Sequence, residues 1–267
     1  MKVFANHAHL FHKEIKPHGD IESLKRLMDE VGLDGVVAFA PFNKNGSTQV
    51  LSAEENQNKW LSDVLKGQSD IVGFGTVNFD RDDLEDQVKE IADLGLKGIK
   101  LHPQHQQFKI NGERAYRVYG AAESLGLFLS FHTGVHFDRI RDSSVLMFDD
   151  VAWDFPKLRF SMEHMGGYSF FRESIAVMNN QRKAKEAPRI FAGWTSVYER
   201  GQWYISPEEL CWLLELTGEK AHIFGLDFPF ANAERIAHAL DVVRGLPIPN
   251  ETRELILGGN LCRELDL

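Results

Sequence analysis

Short apolar segments alternate with longer amphipathic segments along almost all of the 267 residues. The apolar segments predict buried β-strands at 3–11, 35–39, 71–77, 98–101, 127–132, 158–162, 190–192 and 222–225. Parallel strands that are buried on both faces are typically apolar throughout, as these are. Eight strand-then-helix units without a visible linker predict an α/β protein, a distorted (β/α)8 TIM barrel that forms one domain over residues 1–267.

The helix predictions rest on apolar stripes and on capping residues. Apolar side chains at three- and four-residue spacing predict helices over 21–31, 113–125 and 170–180, and a further stripe runs from 236 to 243. Ser52 with Glu55, and Ser206 with Glu209, have the spacing of capping boxes. An open doubly wound sheet is the main alternative fold, but its first turn is normally rich in glycine, whereas this chain has histidines there.

Two histidines, His7 and His9, end the first predicted strand. Side chains at i and i+2 of a strand point to the same face, so the two imidazoles project together while Ala8 turns away. Neutral imidazoles bind Zn²⁺ at about 2.0–2.1 Å, which makes this pair a candidate metal site. Such pairs also occur by chance, so the rest of the chain must decide.

Titratable residues recur at the ends of several other predicted strands. In a TIM barrel the carboxyl ends of the strands carry the active site. Buried polar groups cost free energy unless they are paired, and a shared metal would pair several of them at once. The residues at these ends are His7, His9, Lys100, His102, His132, Glu163, His164 and Asp227.

Six short motifs give the chain a family resemblance, in the order in which that family has them. They are NHAHLF (6–11), KGIKLHPQ (97–104), LSFHTG (129–134), MEHMGG (162–167), FGLDFPF (224–230) and ILGGNLCREL (256–265). On these motifs the chain resembles the amidohydrolase superfamily, within its amidohydrolase-2 group, which also contains decarboxylases. The resemblance implies a metal-dependent barrel enzyme.

The resemblance also implies roles for individual residues. His7, His9, His132 and Asp227 would bind one divalent metal, preferably Zn²⁺, with Mn²⁺, Fe²⁺ or Co²⁺ as alternatives. Asp227 would also be the catalytic acid and base. His164 would stabilise charge on the oxygen of the attacked carbonyl if one metal is bound, which we favour, and would become a ligand if two are bound.

Further residues are weaker candidates. Lys100, as a carboxylated lysine, would bridge two metals, or it would bind substrate; His102 shares its face and would contact substrate or be structural. Arginines in the loops after strands five and seven would bind a substrate carboxylate, and aromatic residues would form a flat slot. The arginines are Arg139, Arg141 and Arg200, and the aromatic residues are Phe11, Trp153, Trp194 and Phe228.

Two reactions fit this set of residues. The first is hydrolysis of a small amide, lactone or ester by a metal-activated water. The alternative is non-oxidative decarboxylation of an aromatic or unsaturated acid, in which Asp227 protonates the carbon that loses CO₂. A third hypothesis is a catalytically inactive barrel that binds a small ligand, since fold alone does not determine function.

The charge and composition of the chain argue against some classes of binding partner. The formal net charge of -9 argues against a general nucleic-acid or anionic-membrane binder, and no apolar run is long enough to span a membrane. The two cysteines, Cys211 and Cys262, lack metal-type spacing, and no secretory signal is visible. We therefore expect a cytoplasmic enzyme with a small-molecule substrate, with homodimerisation left open.

Overall fold

The computed structural model describes residues 2–42, 49–52, 54–136, 139–181, 185–199 and 201–267. Eight parallel strands pair in chain order, and β8 pairs with β1, so that the sheet closes into a barrel. The predicted TIM barrel is therefore confirmed. The strands are β1 (Phe4–His9), β2 (Gly35–Phe39), β3 (Ile71–Gly75), β4 (Gly98–Leu101), β5 (Phe128–His132), β6 (Arg159–Glu163), β7 (Ile190–Thr195) and β8 (His222–Phe228).

Helices connect the strands and surround the barrel. Several begin or end where the sequence places a cap: α8 starts with the predicted capping box of Ser206 and Glu209. The helices are α1 (Ile21–Val31), α2 (Gln57–Val64), α3 (Leu84–Asp93), α4 (Pro103–Gln106), α5 (Glu113–Leu125), α6 (Met147–Asp154), α7 (Gly167–Asn179), α8 (Pro207–Thr217), α9 (Ala233–Gly245), α10 (Asn250–Glu254) and α11 (Asn260–Leu265). In the described part of the chain, no helix has the length and apolarity needed to cross a membrane.

Two predicted helices differ from the observed ones. Helix α2 begins five residues after Ser52 because Asn56 is its N-cap and accepts a hydrogen bond from the backbone N–H of Lys59. The sequence also predicts a short final helix over 251–257, where the structure has α10 followed by a π-helical turn, and α11 comes after that turn. Gly258 lies in this turn, where a Cβ would come within 2.7 Å of the backbone nitrogen of Phe4, so the close approach to β1 requires glycine.

The barrel interior has an apolar part and a polar part. Phenylalanines and small aliphatic residues fill one part, which α11 closes with Leu261 and Leu265. The polar part holds buried side chains that include Asn6, Lys100 and Glu163. Because these groups lie in strands, their positions are fixed by the register of the sheet, and they form the floor of the candidate site.

Candidate metal centre

A β-bulge at the end of β1 aims the first two histidines. The register of β1 shifts between Asn6 and Ala8 against β8, and His7 has a φ of 72°, in the left-handed region. A bulge re-aims side chains, and here Asn6 and His7 both contact Glu163 inside the barrel although they are consecutive residues. The simple alternation of a strand predicts that His7 and His9 share a face, but it does not predict this inward turn of Asn6.

Glu163 fixes the protonation of His7. Nδ1 of His7 lies 3.0 Å from Oε2 of Glu163. A carboxylate oxygen can only accept, so Nδ1 carries the proton and Nε2 of the neutral ring presents a lone pair. Burial, and then the nearby Lys100, lower the pKa of His7 well below its usual value, which keeps the ring neutral. A metal-binding histidine commonly has such a carboxylate partner.

His7, His9 and Asp227 form a group of potential metal ligands. The Nε2 atoms of the two histidines lie 3.1 Å apart, and Oδ1 of Asp227 lies 3.5 Å from Nε2 of His7. One ligand atom from each residue lies within 4.8 Å of the other two. The lone pair of His7 Nε2 thus faces a second nitrogen and a carboxylate oxygen, an arrangement that fits a divalent cation.

Ser196 holds the other oxygen of Asp227. The hydroxyl of Ser196 donates to Oδ2 over 2.8 Å. Burial raises the pKa of Asp227, but the nearby His7 and His164 and the Ser196 hydroxyl outweigh burial and bring the pKa below its usual value. Asp227 is therefore ionised at neutral pH.

His132, the predicted third nitrogen ligand, stands apart from this group. Its Nε2 atom is buried and has no hydrogen-bond partner among the described atoms. Its ring stacks on that of His102 at a centroid distance of 3.9 Å and an angle of 6°. His132 lines the same cavity as His7 and His9. Metal binding by His132 stays a prediction, which its unpartnered nitrogen favours.

The protonation state of His164 does not suit its predicted role, which is to stabilise charge on the oxygen of the attacked carbonyl. Its Nδ1 atom lies 2.8 Å from the carbonyl oxygen of Thr195, which can only accept, so Nδ1 carries the proton. Burial lowers the pKa of His164, and the ring is neutral at pH 7. Nε2 is then an acceptor and cannot donate to a developing oxyanion. Its chemistry suits a metal ligand or a proton acceptor instead.

Lys100 is a cationic group beside these ligands. Its side chain is fully buried, with Nζ 3.4 Å from Nε2 of His7 and 5.0 Å from the centroid of the Phe39 ring. Burial lowers the pKa of Lys100 to about 8, against the opposing effects of Glu163 and Asp227. Most molecules therefore carry an ammonium group here at neutral pH.

The ligand group lies in a cavity of about 240 Å³ at the carboxyl ends of the strands. Imidazoles dominate its polar lining, and Asp227 is the one carboxylate among the described lining residues. Its aromatic residues are Phe11, Phe42, Trp203 and Phe230, and its other residues are His7, His9, Gln49, Lys100, His102, His105, His132, His136, His164, Gln202 and Asp227. A cavity of this size accepts a small molecule.

Two predicted aromatic wall residues face away from the cavity. Trp194 is fully buried on the helix side of β7, where its Nε1 atom donates to Nδ1 of His222 over 3.1 Å. Phe228 packs in the apolar core outside the barrel, while Phe230, two residues later, lines the cavity. Strand β7 extends three residues beyond its predicted end, so both Trp194 and Thr195 lie in the strand, and Thr195 rather than Trp194 points into the barrel, where it donates to Glu163.

The predicted arginine contacts also fall outside the cavity. Arg139 and Arg141 are exposed, and Nε of Arg141 lies 3.4 Å from a carboxylate oxygen of Asp142. Arg200 lies outside the described residues. Trp153, on α6, is 58% exposed and does not line the cavity. Among the described residues, the basic groups that line the cavity are Lys100 and histidines.

Trp203 is a cavity residue that the sequence analysis missed. Its ring lies 4.7 Å from that of His164 and 5.3 Å from that of His132. A Cβ at Gly134 would come within 2.5 Å of the indole, and one at Gly167 within 2.7 Å. Both glycines belong to predicted motifs, and they indicate a close approach in advance, but not the distant residue that makes it.

The geometry of the fold and site agrees with what sequence comparison finds. A model of the amidohydrolase family matches residues 7–260, and the chain belongs to this family. The predicted family and enzyme class are thereby confirmed. A search of curated proteins found no match.

Several solved structures share the barrel fold at low sequence identity. An uncharacterized TIM-barrel protein from Bordetella bronchiseptica has a TM-score of 0.79 and 18% identity, with 100% of this chain and 99% of that chain covered. A dihydroxybenzoic acid decarboxylase from a Polaromonas species, with bound manganese and an inhibitor, has a TM-score of 0.73 and 15% identity, with 100% of this chain and 97% of that chain covered. A probable 2-pyrone-4,6-dicarboxylic acid hydrolase from Acinetobacter baumannii has a TM-score of 0.70 and 13% identity, with 100% of each chain covered.

Proposed function

We propose that the protein is a metal-dependent hydrolase that cleaves a small amide, lactone or ester at the mouth of the barrel. The observation that carries this proposal is the convergence of His7, His9 and Asp227, which offer one ligand atom each within 4.8 Å of one another. Two imidazoles and a carboxylate are the donor set of many hydrolytic zinc sites. The cavity volume of about 240 Å³ suits a small-molecule substrate.

His7, His9 and Asp227 would hold the metal, with His132 as the predicted fourth ligand. When bound, a divalent cation supplies Lewis acidity, which makes water a stronger acid and a carbonyl a better electrophile. Zn²⁺ is the preferred ion for nitrogen-rich ligation, and Mn²⁺, Fe²⁺ and Co²⁺ are alternatives. The remaining contributions to catalysis come from side chains of this chain.

Asp227 would move the proton. Its carboxylate is ionised at neutral pH and held by Ser196, so it can accept a proton from the attacking water. The same group would then deliver that proton to the leaving atom as the bond to it breaks. General acid–base catalysis of this kind contributes a factor of roughly 10²–10⁴ to the rate.

Lys100 would supply positive charge near the carbonyl oxygen. It is the buried ammonium group closest to His7, and its pKa of about 8 leaves it mostly charged at pH 7. A preorganised cation in a site of low dielectric stabilises charge that develops in the transition state. This assignment replaces His164, whose Nε2 atom is an acceptor when the ring is neutral.

The alternative function is decarboxylation, and the aromatic lining favours it. Phe11, Phe42, Trp203 and Phe230 line the cavity and could enclose a flat, unsaturated acid. In this reaction Asp227 would deliver a proton to the carbon that loses CO₂. A structural neighbour is named as a decarboxylase of dihydroxybenzoic acid, which supports keeping this alternative.

One experiment separates the two functions. The metal-loaded protein is incubated in H₂¹⁸O with a panel of small amides, lactones, esters and aromatic acids, and products are analysed by mass spectrometry. We expect ¹⁸O in the carboxylate product of an amide, lactone or ester, and no release of CO₂. Release of CO₂ without ¹⁸O incorporation would establish the decarboxylase, and ligand binding without turnover would point to an inactive barrel.

A further inference from the structure

Glu163, at the end of β6, is a fully buried carboxylate in the polar part of the barrel interior. Its Oε1 atom accepts hydrogen bonds from Nδ2 of Asn6 over 2.8 Å, from Oγ of Ser130 over 3.2 Å and from the hydroxyl of Ser161. Its Oε2 atom accepts from Oγ1 of Thr195 over 2.6 Å and from Nδ1 of His7 over 3.0 Å. Donors from four strands thus converge on one side chain.

The barrel wall makes room for this carboxylate. A Cβ at Gly193, on β7, would lie 2.6 Å from the carboxyl carbon of Glu163. A Cβ at Gly225, on β8, would lie 2.0 Å from Oγ1 of Thr195. These clashes involve a buried carboxylate and its donor, neither of which can move aside in a packed barrel. Two strands therefore lack side chains where Glu163 and Thr195 meet.

The donor set selects a carboxylate rather than an amide. Both oxygens of Glu163 accept, and an amide in its place would direct an NH₂ group at either the Asn6 amide or the His7 Nδ1–H. Burying a charge is costly unless hydrogen bonds and a counter-charge compensate for it. A neutral group would fill this space without that cost, so packing alone does not account for the charge.

The function of this charge lies at His7. Among the donors to Glu163, His7 alone belongs to the candidate ligand group. A carboxylate on the far nitrogen of an imidazole fixes the tautomer and the ring orientation, and it raises the basicity of the nitrogen that binds the metal. Asn6, Ser130, Ser161 and Thr195 hold the carboxylate itself in place.

We infer that Glu163 is a positioning residue of the metal site, which keeps His7 in the Nδ1–H tautomer and strengthens Nε2 as a ligand. The inference rests on the proposed metal site. It assigns a role to a residue that neither binds the metal nor contacts the substrate.

The test compares Zn²⁺ affinity in Glu163→Gln and in a matched control. The control is Thr217→Val. It removes the threonine hydroxyl that lies 2.9 Å from Nε2 of another buried histidine, His222, at the amino end of β8. Affinity is measured on the full-length, metal-depleted protein by competition with a chromophoric chelator. Loss of an outer-shell partner weakens metal binding by about 10- to 100-fold, which we expect for Glu163→Gln. For Thr217→Val we expect no change in Zn²⁺ affinity beyond the scatter of replicates.

A second measurement does not depend on whether the Glu163→Gln variant folds. Long-range ¹H–¹⁵N spectra of histidine-labelled wild-type protein report the tautomer of His7, assigned by the signals lost in His7→Gln. We expect a protonated Nδ1 and an unprotonated Nε2. A protonated Nε2 in the metal-free protein, or a folded Glu163→Gln protein with the affinity of the wild type, would overturn the inference. Wild-type protein that binds no Zn²⁺ would instead overturn the proposed function.

Discussion

The hydroxyl of Ser196 donates to Oδ2 of Asp227 over 2.8 Å, which leaves Oδ1 of Asp227 facing Nε2 of His7 at 3.5 Å. Both Ser196 and Asp227 have positive φ angles, of 56° and 66°. A non-glycine residue in this region is strained by about 1–3 kcal/mol, and such strain persists where the surrounding structure enforces it. The barrel thus holds one carboxylate oxygen for a hydrogen bond and the other for chemistry.

Replacing Asp227 with asparagine should nearly abolish turnover while the fold survives. The amide is isosteric but cannot accept and return a proton, so we expect kcat to fall by a factor of about 10³ or more. Steady-state kinetics at saturating metal, with circular dichroism as the check on folding, measure this. An Asp227→Asn variant with wild-type kcat would contradict both the hydrolytic and the decarboxylating mechanism.

Replacing Ser196 with alanine should have an intermediate effect. A hydrogen bond to a charged group contributes about 1.5–3 kcal/mol, so we expect kcat/KM to fall by about 10- to 100-fold. The matched control is Ser124→Ala, on α5, where the serine hydroxyl donates to the carbonyl of Gly120 in the same helix. Equal kcat/KM values for the two variants would show that Ser196 does not position Asp227.

Replacing Trp203 with alanine should raise KM by about 10-fold, because it removes a ring that lies 4.7 Å from His164 and lines the cavity. Trp203→Phe keeps an aromatic face and should raise KM less. Trp153→Ala, which removes a 58% exposed indole on α6, provides the control. If Trp153→Ala raised KM and Trp203→Ala did not, the wall residue predicted from sequence would be correct after all.

His222 should make the fold sensitive to acid. Its Nδ1 atom accepts from Trp194 and its Nε2 atom lies 2.9 Å from Oγ1 of Thr217, so the buried ring is neutral. Burial lowers the pKa of His222 from 6.5 to about 3. The unfolded chain therefore binds the proton first, and this residue lowers the free energy of unfolding by about 1.4 kcal/mol per pH unit below about 6.5.

Urea unfolding at pH 7, 6 and 5 measures this slope. Other buried histidines titrate in the same range, so the comparison is with His222→Gln, which removes one titrating group. We expect the unfolding free energy of His222→Gln to fall less steeply with decreasing pH. The difference in slope should correspond to about one fewer proton taken up on unfolding. Identical slopes for the two proteins would mean that His222 is not kept neutral by the fold.

Much of this architecture could be predicted because the signals are local. The helices of residues 21–31 and 113–125 were predicted with their observed bounds, since apolar periodicity is read directly from the sequence. The capping box at Ser206 is equally local. The rule that barrel strands present functional residues at their carboxyl ends predicted that His7, His9 and Asp227 lie together, and the family resemblance singled them out as ligands.

What could not be predicted depends on non-local geometry. The bulge at His7 turns Asn6 toward Glu163, and period-two alternation cannot show it. Strand β7 pairs with β8 as far as Thr195, which turns Thr195 into the barrel and Trp194 away from it, and this pairing is not read from the local sequence. Trp203 reaches the cavity from a loop, and loop conformation leaves no periodic pattern.

The central claim is a metal site built on His7, His9 and Asp227, and counting metal per chain tests it most directly. The purified protein is saturated with Zn²⁺ or Mn²⁺, freed of excess ion and analysed for metal, with His7→Ala as the control. We predict about one equivalent in the wild type and its loss in His7→Ala. A wild-type protein that retains neither metal, or a His7→Ala variant that retains a full equivalent, would contradict this account.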